Sequence, residues 1–106
     1  MEGDGRRVYE YNPCTNTWRS MPSLQTERYF GHSVCSLDKK IFVLGGKSGD
    51  ASCEMLDLGE DDPQWRYIAS MNDDYGGAVV LGRKIYVLGY GTTTIEEYDV
   101  DQGNLI

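Results

Sequence analysis

An all-β protein made of consecutive four-stranded antiparallel sheets is what this sequence predicts, on three grounds. The run Lys40-Ile41-Phe42-Val43-Leu44-Gly45 recurs 44 residues later as Lys84-Ile85-Tyr86-Val87-Leu88-Gly89. A repeat of that period marks tandem units that bury their apolar faces only by stacking on one another. Each run is apolar at adjacent positions, with Ile41 and Val43 pointing one way and Phe42 and Leu44 the other. Such a strand is covered on both faces, as in a layered stack of sheets. No segment sustains a 3.6-residue apolar period over three turns, so helices are not expected.

In chain order, residues 1–24 supply the last two strands of one unit. Val8, Tyr11 and Asn12 lie on the first, and Trp18-Arg19-Ser20-Met21 on the second. Residues 25–71 form a complete unit. Its first hairpin runs through residues 32–37, the turn Asp38-Lys39-Lys40 and residues 41–44. The loop Gly45-Gly46-Lys47-Ser48-Gly49-Asp50 follows, and residues 53–58 and 65–71 are the third and fourth strands. Residues 72–106 begin another unit with three strands, the first two being 77–81 and 85–88 around Gly82-Arg83-Lys84. The copies align at Val8, Cys53 and Ile95, at Tyr11, Leu56 and Tyr98, and at Asn12, Asp57 and Asp99. Trp18 matches Trp65, and Leu24 matches Met71.

Composition narrows the function classes. The formal net charge is −7 and the pI about 4.5, which argues against a nucleic-acid partner, since that needs a clustered basic face. The three cysteines, Cys14, Cys35 and Cys53, are odd in number and form no Cys-x-x-Cys. Free thiols in a reducing, cytoplasmic setting fit better than a disulfide framework. Cys35 and Cys53 read as small buried hydrophobes and Cys14 as a turn residue. No apolar run reaches the roughly 20 residues that span a bilayer, so no membrane partner is expected.

His32 is the only histidine. One imidazole makes no zinc site without further ligands converging on it, and no Ser-His-Asp pattern accompanies it. Asp61-Asp62 and Asp73-Asp74 lack the ligand spacing of a calcium loop. Neither a metal, a cofactor nor an enzymatic activity is expected.

The ordered set of a double glycine after the second strand (Gly45-Gly46), a tyrosine on the third (Tyr11, Tyr98) and a tryptophan on the fourth (Trp18, Trp65) resembles the kelch repeat. The resemblance covers about 100 of the 106 residues. Two positions depart from the pattern: Leu56 fills the tyrosine slot of the complete unit, and Tyr90 interrupts Gly89-Tyr90-Gly91. The resemblance implies a partial kelch β-propeller of about two and a half blades. Trp18 and Trp65 would then pack one blade on the next. A tryptophan after Tyr98 would fall at 105 or 107. Leu105 takes the first place and the sequence stops at Ile106, so a piece of a longer protein is expected. Its open end faces should favour association.

The resemblance also implies protein–protein recognition. In kelch-like proteins such propellers follow BTB and BACK domains. They serve as substrate receptors of cullin-RING ubiquitin ligases or as actin-associated scaffolds. Partners dock on the rim made by the connections between strands two and three and between successive blades. Here those are residues 47–52 and 90–94, and 25–29 and 72–75. The candidate partner-binding residues are Arg28, Tyr29, Lys47, Ser48, Asp50, Asp73, Asp74, Tyr75, Tyr90, Thr92 and Thr93. A propeller enzyme, galactose-oxidase-like or sialic-acid-epimerase-like, is the rival reading. A copper oxidase of that kind needs several histidines, and this sequence holds one.

Overall fold

The computed structural model describes residues 5–28, 32–46, 51–71, 76–89, 95–101 and 104–105. Among them are ten β-strands and no helix. β1 (Val8–Asn12) and β2 (Thr17–Met21) form a two-stranded ribbon. β3 (Ser33–Leu37), β4 (Lys40–Leu44), β5 (Cys53–Asp57) and β6 (Arg66–Ile68) form a second sheet, paired in chain order. β7 (Gly76–Leu81), β8 (Lys84–Gly89), β9 (Ile95–Asp99) and β10 (Asn104–Leu105) form a third. Every pairing is antiparallel. The fourth strands are shorter than their tryptophan-bearing pattern suggests. β6 is three residues long with Trp65 just before it, and β10 adds two residues where three strands were expected.

Turn chemistry sets the registers. Leu37 faces Lys40 and Leu81 faces Lys84, so each hairpin turns on two residues. Asp38 and Lys39 take positive φ at 54° and 63°, and Gly82 does so at 64°. These values match the twist that tight hairpins need. Lys40 then faces Asp57, and Lys84 faces Asp99. Those aspartates, with Asn12, do the same local job in all three sheets. The side-chain oxygens of Asn12, Asp57 and Asp99 accept the backbone N–H two residues on, each at 2.9 Å. This side-chain turn closes the third strand and explains the aligned polar position.

The second glycine of the double-glycine loop has a steric cause. Gly46 sits at φ 95°, and a Cβ there would lie 2.3 Å from the Cβ of His32 and 2.9 Å from its Cα. Only glycine lets the loop pass the start of β3.

The sheets stack face to face and share two cores. Phe42, Leu44 and Cys53 of the second sheet meet Ile85, Val87, Tyr98 and Val100 of the third. Tyr98 turns its ring edge toward Phe42, with centroids 6.1 Å apart. On the opposite face, Val43, Leu56 and Trp65 cluster with Leu24, Val8 and Met21 from the ribbon and the segment leaving it. Thus β4 is apolar on both faces because each face meets a different sheet.

Trp18, expected to pack between blades, lies at the surface of the ribbon. It is 69% exposed and lies against Tyr11, with ring centroids 4.8 Å apart. Tyr9 and Tyr11 beside it are also exposed. At the far end, Val79, Leu81, Leu88 and Ile95 of the third sheet are exposed as well. Among the described residues, no helix is long and apolar enough to cross a membrane.

Candidate functional site

The connection from β2 to β3 and the connection from β4 to β5 emerge at the same end of the second sheet, because Ser33 faces Leu44 and Leu44 faces Cys53. One buried acidic side chain organises both. Glu54, on β5, is fully enclosed between the apolar Cys53 and Met55. Its Oε1 accepts the backbone N–H of Gln25 at 2.7 Å, and its Oε2 accepts that of Thr26 at 3.1 Å. The Arg28 guanidinium closes the arrangement, donating from Nη2 to Glu54 Oε2 at 2.9 Å.

Arg28 also clasps the next loop. Its Nη1 donates to the carbonyls of Gly45 at 2.7 Å and Ser52 at 2.8 Å, and its Nη2 donates to Ser52 Oγ at 3.1 Å. Those carbonyls belong to the two stems of the 45–52 connection, which Gly45 N–H to Ser52 O ties directly at 3.0 Å. Gln25 Nε2 donates to Trp65 O at 2.6 Å, and Thr26 Oγ1 and Tyr67 OH lie 2.5 Å apart. Two neighbouring loops are therefore anchored to the sheet through one ion pair. A buried charge pair is tolerable only when its remaining valences are filled, as they are here.

The opposite rim is held differently. Arg83, in the β7–β8 turn, pairs with Asp38 in the β3–β4 turn and with Asp101 after β9. All three are exposed, and Asp101 is held below its ordinary carboxylate range by the hydrogen bond from Arg83.

The placement of the sequence-predicted residues is uneven. Tyr29, Lys47, Ser48, Asp50, Asp73, Asp74, Tyr75, Tyr90, Thr92 and Thr93 lie outside the described residues. Arg28 is described, and it is buried rather than presented to a partner. Its role is to hold loops, a correction to its place among contact residues. Of the repeat residues, Gly45, Gly46, Trp65 and Tyr98 sit in or beside the second and third sheets, and Gly89 ends β8. Tyr11 and Trp18 form the exposed pair on the ribbon. Among the described residues no group of three His, Cys, Asp or Glu side chains is placed to hold a metal ion. Glu54 was missed. Its signal was available, because Glu54 and Glu96 both stand two residues before the tyrosine slot, and both are buried.

Known proteins carry the same pattern. Residues 28–72 match the family described as the kelch motif. Kelch-like protein 21 of Danio rerio is 28% identical over 94 residues, covering 78% of this chain and 14% of that protein. An F-box/kelch-repeat protein of Arabidopsis thaliana is 31% identical over 88 residues, covering 77% of this chain and 23% of the relative. Kelch-like protein 15 of Mus musculus is 40% identical over 58 residues, covering 53% of this chain and 9% of the relative. The chain thus spans less than a quarter of the length of these relatives.

Proposed function

We propose that this chain, which belongs to the kelch-repeat family, is a protein–protein recognition module that takes its partner on the rim bearing residues 25–29 and 47–52. The Arg28–Glu54 node carries this reading. Recognition loops bind best when their ordering is already achieved in the free protein, and the node fixes the bases of two adjoining loops to a rigid sheet. The residues beyond those bases, Tyr29, Lys47, Ser48 and Asp50, then supply the contacts. The corresponding loops of the next unit add Asp73, Asp74, Tyr75, Tyr90, Thr92 and Thr93. The finer reading is the substrate-recognition part of a ubiquitin-ligase adaptor, with an actin-associated scaffold as the other assignment from the same family.

Lysine-directed cross-linking of the tagged chain in cells, read by mass spectrometry, tests the rim. The chain has Lys47 in the 45–52 connection and Lys39, Lys40 and Lys84 at the turn end of the sheets. Partner cross-links should concentrate on Lys47 and weaken when Tyr29 and Asp50 are replaced by alanine. Cross-links confined to Lys39, Lys40 and Lys84 would remove the rim assignment. Whether actin or a ubiquitinated substrate is the cross-linked species decides between the two finer readings.

A further inference from the structure

Tyr67 stands at the outer edge of the loop-holding arrangement. It lies on β6, directly opposite Glu54 of β5. Its hydroxyl meets Thr26 Oγ1 at 2.5 Å, and the Thr26 backbone N–H is one of the two that the Glu54 carboxylate accepts. Two residues before it, Trp65 grips the same connection, donating from Nε1 to Pro22 O and accepting from Gln25 Nε2. The connection 22–28 is thus held both by a buried carboxylate and by the residues of an outer strand. The buried part is closed to any enzyme, since the Arg28 and Glu54 side chains are fully enclosed. The outer part is open, because Tyr67 is 51% exposed.

Two further features suit Tyr67 to covalent modification. β6 ends the order of its sheet and joins β5 over three residue pairs. Little pairing is lost when so short an outer strand is drawn out into the extended form that an enzyme cleft takes. Glu60, Asp61 and Asp62 precede the tyrosine by five to seven residues, and both aspartates are exposed. Acidic side chains in that position complement a cleft with a basic lining. Tyr9 and Tyr11 are exposed as well, but both follow Arg6-Arg7, and the Tyr11 ring lies against Trp18.

We propose that Tyr67 is a phosphorylation site whose occupancy releases the connection 22–28 from the second sheet. A protein tyrosine kinase transfers the γ-phosphoryl group of ATP. A bond forms from Tyr67 Oη to phosphorus, the bond from phosphorus to the β,γ-bridging oxygen breaks, ADP leaves, and the hydroxyl proton passes to water. Phosphorus does not fit between two oxygens 2.5 Å apart, so Thr26 has to move away. The new group carries about two negative charges and lies beside the residue whose N–H the Glu54 carboxylate holds. Like charge at that point opposes the return of Thr26. The buried ion pair is untouched chemically, and the loop base is loosened from its exposed side. That this loosening weakens partner capture rests on the proposed rim; the modification and the release do not.

Two measurements test the site. The tagged chain is expressed in cells treated with a tyrosine-phosphatase inhibitor, and its phosphotyrosines are mapped by mass spectrometry. Phosphate should sit on Tyr67 in preference to Tyr9 and Tyr11, and Tyr67→Phe should abolish that signal. No phosphate on Tyr67, or equal occupancy of Tyr9 and Tyr11, overturns the proposal. Hydrogen exchange is then followed in the 106-residue chain synthesised with phosphotyrosine at position 67. The amides of Gln25 and Thr26 should exchange roughly tenfold faster than in the unmodified chain, as the loss of one hydrogen bond of ordinary strength would bring. The Val100 amide, bonded to Arg83 O at the opposite rim, should keep its rate. Unchanged or slower exchange at residues 25 and 26 overturns the release, and so does an equal acceleration at Val100. Neither measurement involves a partner, so an absence of cross-links at Lys47 would remove the rim and leave this site standing.

Discussion

Trp65 and Trp18 hold the same slot of the same repeat, and only one is inside. Trp65 is 4% exposed, and its indole N–H donates to Pro22 O at 2.8 Å. Trp18 is 69% exposed. Their strands, cross-strand neighbours and flanking residues are alike, since Trp18 faces Tyr11 and Trp65 follows the register that places it opposite Leu56. What differs is the layer before them. The segment leaving the ribbon brings Pro22 and Leu24 over Trp65, and no described residue does this for Trp18. Burial in a stacked repeat thus belongs to the interface between units more than to the residue or its own sheet.

The largest expected effect breaks that comparison directly. Trp65→Ala should cost about 3–5 kcal/mol, the usual range for removing a large buried aromatic. Leu56→Ala, under the same interface, should cost about 2–5 kcal/mol. Trp18→Ala should fall within about 0.5 kcal/mol of the parent, as exposed substitutions do. Urea denaturation of the three variants reads all of this. A Trp18 cost equal to that of Trp65 would mean that the ribbon face is covered in solution.

The second comparison sets Glu54 against Tyr9, its counterpart on the ribbon. Glu54→Gln should cost about 3–5 kcal/mol by leaving the Arg28 guanidinium without its buried charge partner. Arg28→Met should cost a similar amount for the converse reason. The double variant should be less destabilised than the sum of the two, with a coupling of roughly 1–3 kcal/mol. Hydrogen exchange at the 45–52 stems should speed up in each single variant. Tyr9→Ala should leave those stems unchanged. Additive singles would show that the two side chains act separately and that the clasp does not depend on the pair.

How much of this was legible in the sequence follows from what each residue does. The hairpins were, because Lys40 through Gly45 and Lys84 through Gly89 carry their two-faced apolar character in adjacent letters. The need for Gly46 was legible only as pattern, since its cause is the approach of His32 from another strand. The Arg28–Glu54 node was not read. A glutamate in a strand normally marks the solvent face, and only its recurrence as Glu96 hinted otherwise. The exposure of Trp18 was not legible, because a residue's covering layer is not encoded near it. The rim contacts, Lys47 and Tyr75 among them, remain proposals resting on the loop bases rather than on their own placement.

The smallest effect contrasts Cys53 of the second sheet with Cys14 of the ribbon turn. Desolvation pushes the Cys53 thiol from 9.0 up to about 11, although nearby backbone hydrogen bonds pull it down in part. Cys14 is exposed. In the folded protein an alkylating reagent at pH 8 should therefore label Cys14 and spare Cys53, because the thiolate is the reactive form. The same shift ties stability to pH. Above pH 9 the unfolded chain releases the Cys53 proton while the folded chain keeps it. Folding is then favoured less as pH rises, with the loss spread between pH 9 and 11 and absent below pH 9. A shift of that size corresponds to roughly 2–3 kcal/mol at most. Cys35 and Tyr98, also raised by burial, add to the decline in the same direction. Cys53→Val keeps an apolar side chain of similar size and removes the proton. Its stability relative to the parent should improve steadily from pH 9 to 11 and stay constant from pH 6 to 8. A constant difference across the whole range would mean that the Cys53 thiol ionises as readily in the folded sheet as in the open chain, so that the core between the second and third sheets admits water where the packing of Phe42, Leu44 and Tyr98 excludes it.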